Sequence, residues 1–350
     1  MGFRGACVVM AVGLVLGLAD TAANVADAEG LTIAYYGGSW GDAIKKCMIT
    51  PFTAATGVQV EAEPGVSSVT IAKLRQQKGH PAIDVAWMDG GISEIAASES
   101  LVAPIDSAAV PNVANMIPEG VYKLPNGSIY ALSTGFYALG LAYNKKDVKT
   151  PPTSWADLWN PAYAGAVTLP SPSNAMGVPF LVALAKMFGG SATNVQPALA
   201  KLKTLNVLAF FDTSGGADNE FQSGDADIGA HYAQAAWAMS DKGLPIAYAV
   251  PKEGALGGDI RVHIVAGTPK LADAERFVNI AVSKEAATCM AETIYVGPAT
   301  KGVTLSNNAR QRLPWGANGS VANLALTDWT SINAERAKIT QSFNRVVTGK

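Results

Sequence analysis

Apolar runs of four to six residues alternate with stretches in which apolar positions recur every three or four, a rhythm that predicts an α/β protein. The first run, in Leu31 to Gly41 (LTIAYYGGSWG), enters a Gly-Gly turn, exposes Ser39 and Trp40, and opens into a helical pattern at Ala43, Ile44, Cys47, Met48, Phe52 and Ala55. Gly57 is a natural stop. Val58 to Ala62 then reads as a strand, Ser67 or Ser68 as the cap of a helix to about Lys78, and Ile83 to Trp87 as another strand. This β-α-β-α-β order favours a parallel sheet with helices on both faces and ligands at the carboxyl ends of the strands. Asp89, in Met88-Asp89-Gly90-Gly91, is accordingly either a pocket residue or the N-cap of a helix over Ile92 to Ser98.

Pro125-Asn126-Gly127 predicts a hairpin turn between strands at Val121 to Leu124 and Ser128 to Leu132, and a long strand follows from Gly135 to Asn144. Thr150-Pro151-Pro152-Thr153 marks a break, after which a second α/β unit starts. It has strands at Ala166 to Leu169, Val207 to Phe211, within Gly224 to Tyr232, and at Ile246 to Val250. Its helices run to about Phe188, over Ala192 to Leu205, and over Ala233 to Lys242. Gly257-Gly258 reads as a turn that Asp259 can cap, followed by a strand at Ile260 to Val265. Helices at Leu271 to Val282 and Lys284 to Glu292 come next. Trp329, Ile332, Ile339 and Phe343 predict a last helix packed across the outside.

Met1 to Ala28 has the form of a secretory signal, with Arg4, an apolar run from Ala6 to Leu18, and Ala26-Asp27-Ala28 as a cleavage site. That run is too short for a comfortable membrane span, and a soluble exported protein is expected. Cleavage takes 28 residues from 350, leaving 322, enough for about two domains. It takes one of 26 basic and two of 28 acidic residues, leaving a net charge of −1. Such a balance gives no drive toward nucleic acid or an anionic membrane. Cys47 and Cys289 remain, either as a disulfide or as two buried thiols. Three histidines, with no metal-ligand spacing, argue against a metal site.

Gly37, Ser39 and Gly41 also spell G-x-S-x-G, the nucleophile elbow of serine hydrolases, in a strand-turn-helix context. Only the signal segment precedes it, and His80, His231 and His263 lie in no triad context. The alternative is a ligand-binding turn without chemistry.

SWADLWNPAYAGAVTLP (Ser154 to Pro170), GDADIGAHY (Gly224 to Tyr232), PKEGA (Pro251 to Ala255) and YVGPA (Tyr295 to Ala299) together resemble bacterial extracellular solute-binding proteins, closest to the spermidine/putrescine-binding branch of ABC importers. The resemblance covers essentially the whole mature chain. It implies a two-lobed periplasmic-binding-protein fold (type 2) with a ligand cleft between lobes. Lobe one would be 29–137 plus 262–350 and lobe two 138–261, joined by strands near Phe136 to Leu141 and Val262 to Val265. Cys47 and Cys289 then share a lobe, which permits a disulfide. The expected activity is capture of a small polar or charged solute, a polyamine-like amine first, and delivery to permease subunits in the periplasm by a monomer with no cofactor and no bond chemistry.

The ligand residues that the resemblance implies are Trp40, Asp89, Tyr232 and Asp259, and the turn after the first strand adds Ser39 beside Trp40. An aromatic face with carboxylates suits an organic cation. Where polyamine binders carry acidic residues, this chain has Ser171, Ser173 and Asn174, which suit an anion at a helix N-terminus equally well, and Arg261, if it faced the cleft, would act in the same direction. Iron is a further alternative, weakened because Tyr35-Tyr36 is the only adjacent tyrosine pair. A hydrolase using Ser39 is the alternative of another class.

Overall fold

The structure, a computed structural model, describes residues 1, 2 and 30–349. The expected signal segment and its cleavage site lie outside the described residues. From the first strand the order is β1 (Leu31–Tyr35), α1 (Gly38–Ile44), α2 (Thr50–Thr56), β2 (Val60–Pro64), α3 (Ser67–Gln76), β3 (Val85–Asp89) and α4 (Ile92–Ser98). A π turn over Lys45–Ile49 joins α1 to α2. Pro51 lacks the amide that an unbroken α ladder would use there, and the chain widens just ahead of it.

Then come β4 (Val121–Lys123), β5 (Ile129–Asn144), β6 (Val167–Pro170), α5 (Gly177–Met187), α6 (Gln196–Leu202), β7 (Val207–Phe211) and α7 (Ser214–Ser223). The chain continues through β8 (Ile228–Tyr232), α8 (Ala233–Asp241), β9 (Ile246–Ala249), β10 (Leu256–Ile264), α9 (Leu271–Ala281) and α10 (Lys284–Ile294). It ends with α11 (Asn307–Arg312), β11 (Ala325–Leu326) and α12 (Trp329–Phe343).

The strands form one mixed sheet in the order β2-β1-β3-β10-β5-β8-β6-β7, with helices on its faces. β1 runs parallel to β2 and β3, and β8 and β7 run parallel to β6. The antiparallel strands β10 and β5 link these two parallel halves. β5 changes partner along its length, pairing through Leu132 to Leu139 with β10 and from Leu139 to Tyr143 with β8.

Two predicted strands, to Leu132 and from Gly135, are thus one strand of 16 residues, buried throughout. The intervening polar pair does not interrupt it. The Thr134 hydroxyl accepts the Trp87 indole N–H at 2.9 Å, and the Ser133 hydroxyl accepts the Gly135 amide. Gly257-Gly258, read as a turn, lies instead inside β10. A Cβ on Gly258 would stand 2.5 Å from the Tyr137 ring, so glycine is there for close packing between strands. The helix α7 had no counterpart in the sequence reading, because Ser214-Gly215-Gly216 has a turn's composition and only Ala217 and Phe221 are buried.

Cys47 and Cys289 form a disulfide that ties the π turn to α10. Its Cα atoms are 5.6 Å apart across a separation of 242 residues. A crosslink over so long a loop removes much of the unfolded chain's freedom in the chain-entropy model.

Candidate functional site

A cavity of about 820 Å³ opens where the carboxyl ends of β1, β3, β6, β7 and β8 converge. Its lining brings together Ser39, Trp40, Asp89, Ser173, Asn174 and Tyr232, and leaves out Asp259 and Arg261. The position matches the general rule for ligands in open α/β sheets.

Asp89, the last residue of β3, is the organising group of one wall. Its Oδ2 accepts the Ser67 hydroxyl at 2.6 Å and the Tyr36 hydroxyl at 3.0 Å, and its Oδ1 accepts the Tyr137 hydroxyl at 3.1 Å. Ser67, the first residue of α3, accepts the Asp89 amide in return at 2.9 Å. Asp89 is therefore not the N-cap of α4, a position that Gly91 occupies. Among the described residues no cationic nitrogen lies within 4 Å of this carboxylate. Burial raises its carboxyl above the ordinary range, and the three hydroxyls pull it back.

With their protons committed to Asp89, the Tyr36 and Tyr137 hydroxyls on the cavity lining keep phenolic lone pairs to offer. A hydroxyl held in this way acts as an acceptor. The aromatic rings form a chain along the wall, with centroids 6.3 Å apart for Tyr36 and Trp40, 6.4 Å for Trp40 and Tyr137, and 5.4 Å for Tyr137 and Tyr232. Burial, with Asp89 beside them, raises the Tyr36 and Tyr137 phenols well above their usual range, so both stay protonated.

The opposite wall comes from β6, β7 and β8. Tyr232 donates its hydroxyl to Asn174 Oδ1 at 2.7 Å, and the same oxygen accepts the Met176 amide. Asn174 Nδ2 donates to the Asp212 carbonyl, so this side chain shapes the turn with all its polar atoms engaged. Ser173 is exposed at the rim, and Ser171 is turned inward to donate to the Asp212 carboxylate. Gln234, at the start of α8, is 5% exposed and lines the cavity, with Oε1 unpartnered among the described residues.

Asp259 belongs to a different environment. Ile260 pairs with Asp89 across β10 and β3 and shares its face, so residues 259 and 261 project from the other face. There Arg261 Nε meets both Asp259 oxygens at 3.1 Å, its Nη1 meets Glu94 at 2.6 Å, and its guanidinium stacks 3.4 Å from the Tyr122 ring centroid. The Tyr122 hydroxyl donates to Asp259 at 2.8 Å. The resemblance implies Asp259 as a ligand contact in a loop after Pro251 to Ala255, with capping of a Gly-Gly turn as the alternative, but this stretch is strand and its parity turns Asp259 and Arg261 away from the cavity.

Ser39 stands in the strand-turn-helix setting foreseen for it, exposed on the first turn of α1. Among the described residues no histidine is hydrogen-bonded to it. His231 Nε2 faces Asp218 at 2.8 Å, and His263 is held by Ser93 and the Ala86 carbonyl.

The sequence reading missed Tyr36, Ser67, Tyr137, Gln234 and Arg336 on the lining. Tyr36 and Ser67 adjoin the turn and helix start that it singled out, and Tyr137 lies on the strand joining the two halves. Gln234 and Arg336 carry no local signal. Arg336 arrives with α12, where Trp329 packs onto Gly90 and Gly91 and Phe343 meets Phe210 edge-on. A Cβ on Gly90 would stand 2.1 Å from the Trp329 indole nitrogen, so the helix can approach only because glycine is there. The last helix thus lies along the cavity instead of merely across the outside.

The family model described as bacterial extracellular solute-binding protein matches residues 81–325. The spermidine/putrescine-binding periplasmic protein of Escherichia coli (strain K12) is 28% identical over 290 residues, spanning 80% of each chain. A Salmonella typhimurium protein named "Putative 2-aminoethylphosphonate-binding periplasmic protein" is 26% identical over 269 residues, 73% of this chain and 74% of its own. An ABC transporter structure from Clostridium perfringens superposes with a TM-score of 0.71 at 21% identity, covering 90% of this chain and 99% of that one. The fold is therefore the two-lobed type 2 fold of periplasmic solute-binding proteins. With the family match extending over most of its length, this chain belongs to the bacterial extracellular solute-binding proteins.

Proposed function

We propose that this chain is the periplasmic solute-binding component of an ABC importer, and that its cavity captures a small organic amine, polyamine-like solutes being the first choice. One observation carries the choice of an amine. Asp89, buried and without a cationic partner, orients the Tyr36 and Tyr137 hydroxyls so that their lone pairs and a chain of aromatic faces meet the solute. Such a wall attracts ammonium groups by cation–π and charge-assisted hydrogen bonds. Gln234 supports the same reading from the opposite wall, since its unpartnered oxygen suits an N–H donor.

In this reading lobe one is 29–137 plus 262–350 and lobe two is 138–261. Solute binding shifts an open-closed equilibrium, and the permease subunits recognise the closed monomer. In this reading the protein carries out no bond chemistry, in keeping with a Ser39 that has no histidine hydrogen-bonded to it among the described residues. Residues 1–28 act as the export signal, and the Cys47–Cys289 disulfide suits an oxidising compartment. An anionic solute is the second reading, favoured by Ser173 and by the N-termini of α3 and α7, whose first residues line the cavity.

A thermal-shift screen of the mature protein against polyamines, amino acids, phosphonates, organic acids, sugars and iron tests this. A ligand of the folded state at a hundredfold excess over its Kd adds about 2.7 kcal/mol of stability. Polyamines or other amines are expected to raise Tm, and Trp40→Ala to weaken their binding about tenfold by removing the central ring. Shifts with sugars alone, or an unchanged affinity in the Trp40 variant, would reject the assignment.

A further inference from the structure

The wall that carries Asp89 also carries a cation. Arg336, on α12, is the sole lysine or arginine on the cavity lining among the described residues. Its Nε donates to Asn333 Oδ1 at 3.0 Å. Among the described residues no carboxylate lies within 4 Å of its guanidinium, and neither Nη group has a hydrogen-bond partner.

The contrast with Arg261 is direct, since that guanidinium meets two carboxylates and a phenyl face. Arg336 is half-buried, with the Trp329 ring centroid 5.9 Å away. Burial lowers its pKa, and the charges of Glu94 and Asp89 oppose that shift. An arginine does not give up its proton at neutral pH, so a charged fork of donors faces the cavity.

The fork also lies close to the acceptor wall. Its Nη2 stands 2.8 Å from where a Cβ on Gly91 would be, and Gly91 is two residues beyond Asp89. Donors and acceptors of opposite charge therefore sit a short distance apart on one wall, yet they do not pair with each other.

We infer that Arg336 is a specificity-determining residue that receives an acid group of the solute, so that the ligand is a short-chain zwitterion, an amine bearing a carboxylate or phosphonate. This rests on the reading of the cavity as an amine site and replaces its polyamine-like first choice with an amine that also carries an acid group. The amine meets the Tyr36, Tyr137 and Asp89 group, and the acid meets the guanidinium through paired N–H···O bonds. A polyamine would place ammonium groups against Arg336, and that repulsion selects against it.

Calorimetric titration of the mature protein tests this with probes that share a skeleton. 4-Aminobutanoate is compared with 1,4-diaminobutane and butanoate, and 2-aminoethylphosphonate with ethylamine and ethylphosphonate, so the two sets separate a carboxylate from a phosphonate. One zwitterion is expected to bind about a hundredfold more tightly than both of its counterparts that carry charge of only one sign. Arg336→Gln should abolish that margin, leave ethylamine binding within about threefold and tighten 1,4-diaminobutane binding by lifting the repulsion, while Arg336→Lys recovers part of the margin. Diamine binding as tight as either zwitterion, or zwitterion affinity unchanged in Arg336→Gln, overturns this inference and leaves the amine site standing. No binding by any probe overturns both.

Discussion

Asp89 and Asp259 are two buried carboxylates on neighbouring strands, and burial raises the pKa of each, yet they are built into opposite kinds of environment. Asp89 is held by three hydroxyls and, among the described residues, by no cation, on the face that opens to the cavity. Asp259 is neutralised by Arg261 and covered by Tyr122 on the other face. Their separation is a matter of strand parity, since Asp89 is in register with Ile260 and not with its neighbours. A buried acid is thus no mark of a binding site. The type of partner, a proton donor or a full positive charge, distinguishes a carboxylate whose charge is left without a counter-ion from one already paired.

The largest expected effect is on the satisfied pair. Asp259→Asn leaves the buried Arg261 charge with only Glu94, and should cost about 3 kcal/mol of stability. Denaturant unfolding checks this, with solute affinity of the folded fraction unchanged. An affinity loss without a stability loss would move Asp259 back into the site.

Asp89→Asn should do the reverse. Solute affinity should fall about a hundredfold, equivalent to about 2.7 kcal/mol, while stability changes by less than about 1 kcal/mol. Calorimetry and unfolding on one preparation decide between the two patterns.

The smallest effect concerns His263, on the satisfied side of the comparison. Its Nδ1–H donates to the Ala86 carbonyl and its Nε2 accepts the Ser93 hydroxyl, so the neutral ring is fully bonded. Burial pushes its pKa down to about 3, against about 6.5 in the unfolded chain. Between those values the unfolded chain holds a proton that the folded chain lacks, so stability falls as pH falls. At pH 5 the loss relative to neutral pH is about 2 kcal/mol from this residue. His263→Gln should flatten the stability-pH curve by that amount, and equal slopes in both proteins would show that the ring is charged when folded.

Much of the fold was readable from the chain. The strand at Val207–Phe211 and the helix at Ile92–Ser98 fall where apolar spacing put them, because each has a strong period and clear stops. Failures came where composition and packing disagree. Gly257-Gly258 has the chemistry of a turn, and only the Tyr137 ring against it explains why it is strand. Ser214-Gly215-Gly216 starts a helix whose apolar stripe is too thin to register.

The candidate site divides in the same way. Trp40, Ser39, Asp89 and Tyr232 follow the ends of apolar strands, and loops at strand ends form the cavity of such a sheet. Gln234 and Arg336 are an ordinary glutamine and arginine on helices, with nothing local to set them apart.

By itself, then, the sequence determined the alternation of strands and helices, the strand-end turns, and the absence of a charge surplus, because each is set by local composition and period. Tertiary structure alone decided which of two adjacent faces of β10 meets the cavity, and so removed Asp259 and Arg261 from it. It also decided that Cys47 meets Cys289, and that α12 lies along the cavity with Arg336 on its wall. Those outcomes depend on register between strands and on contacts between residues far apart in the chain, and no window of neighbouring residues contains either.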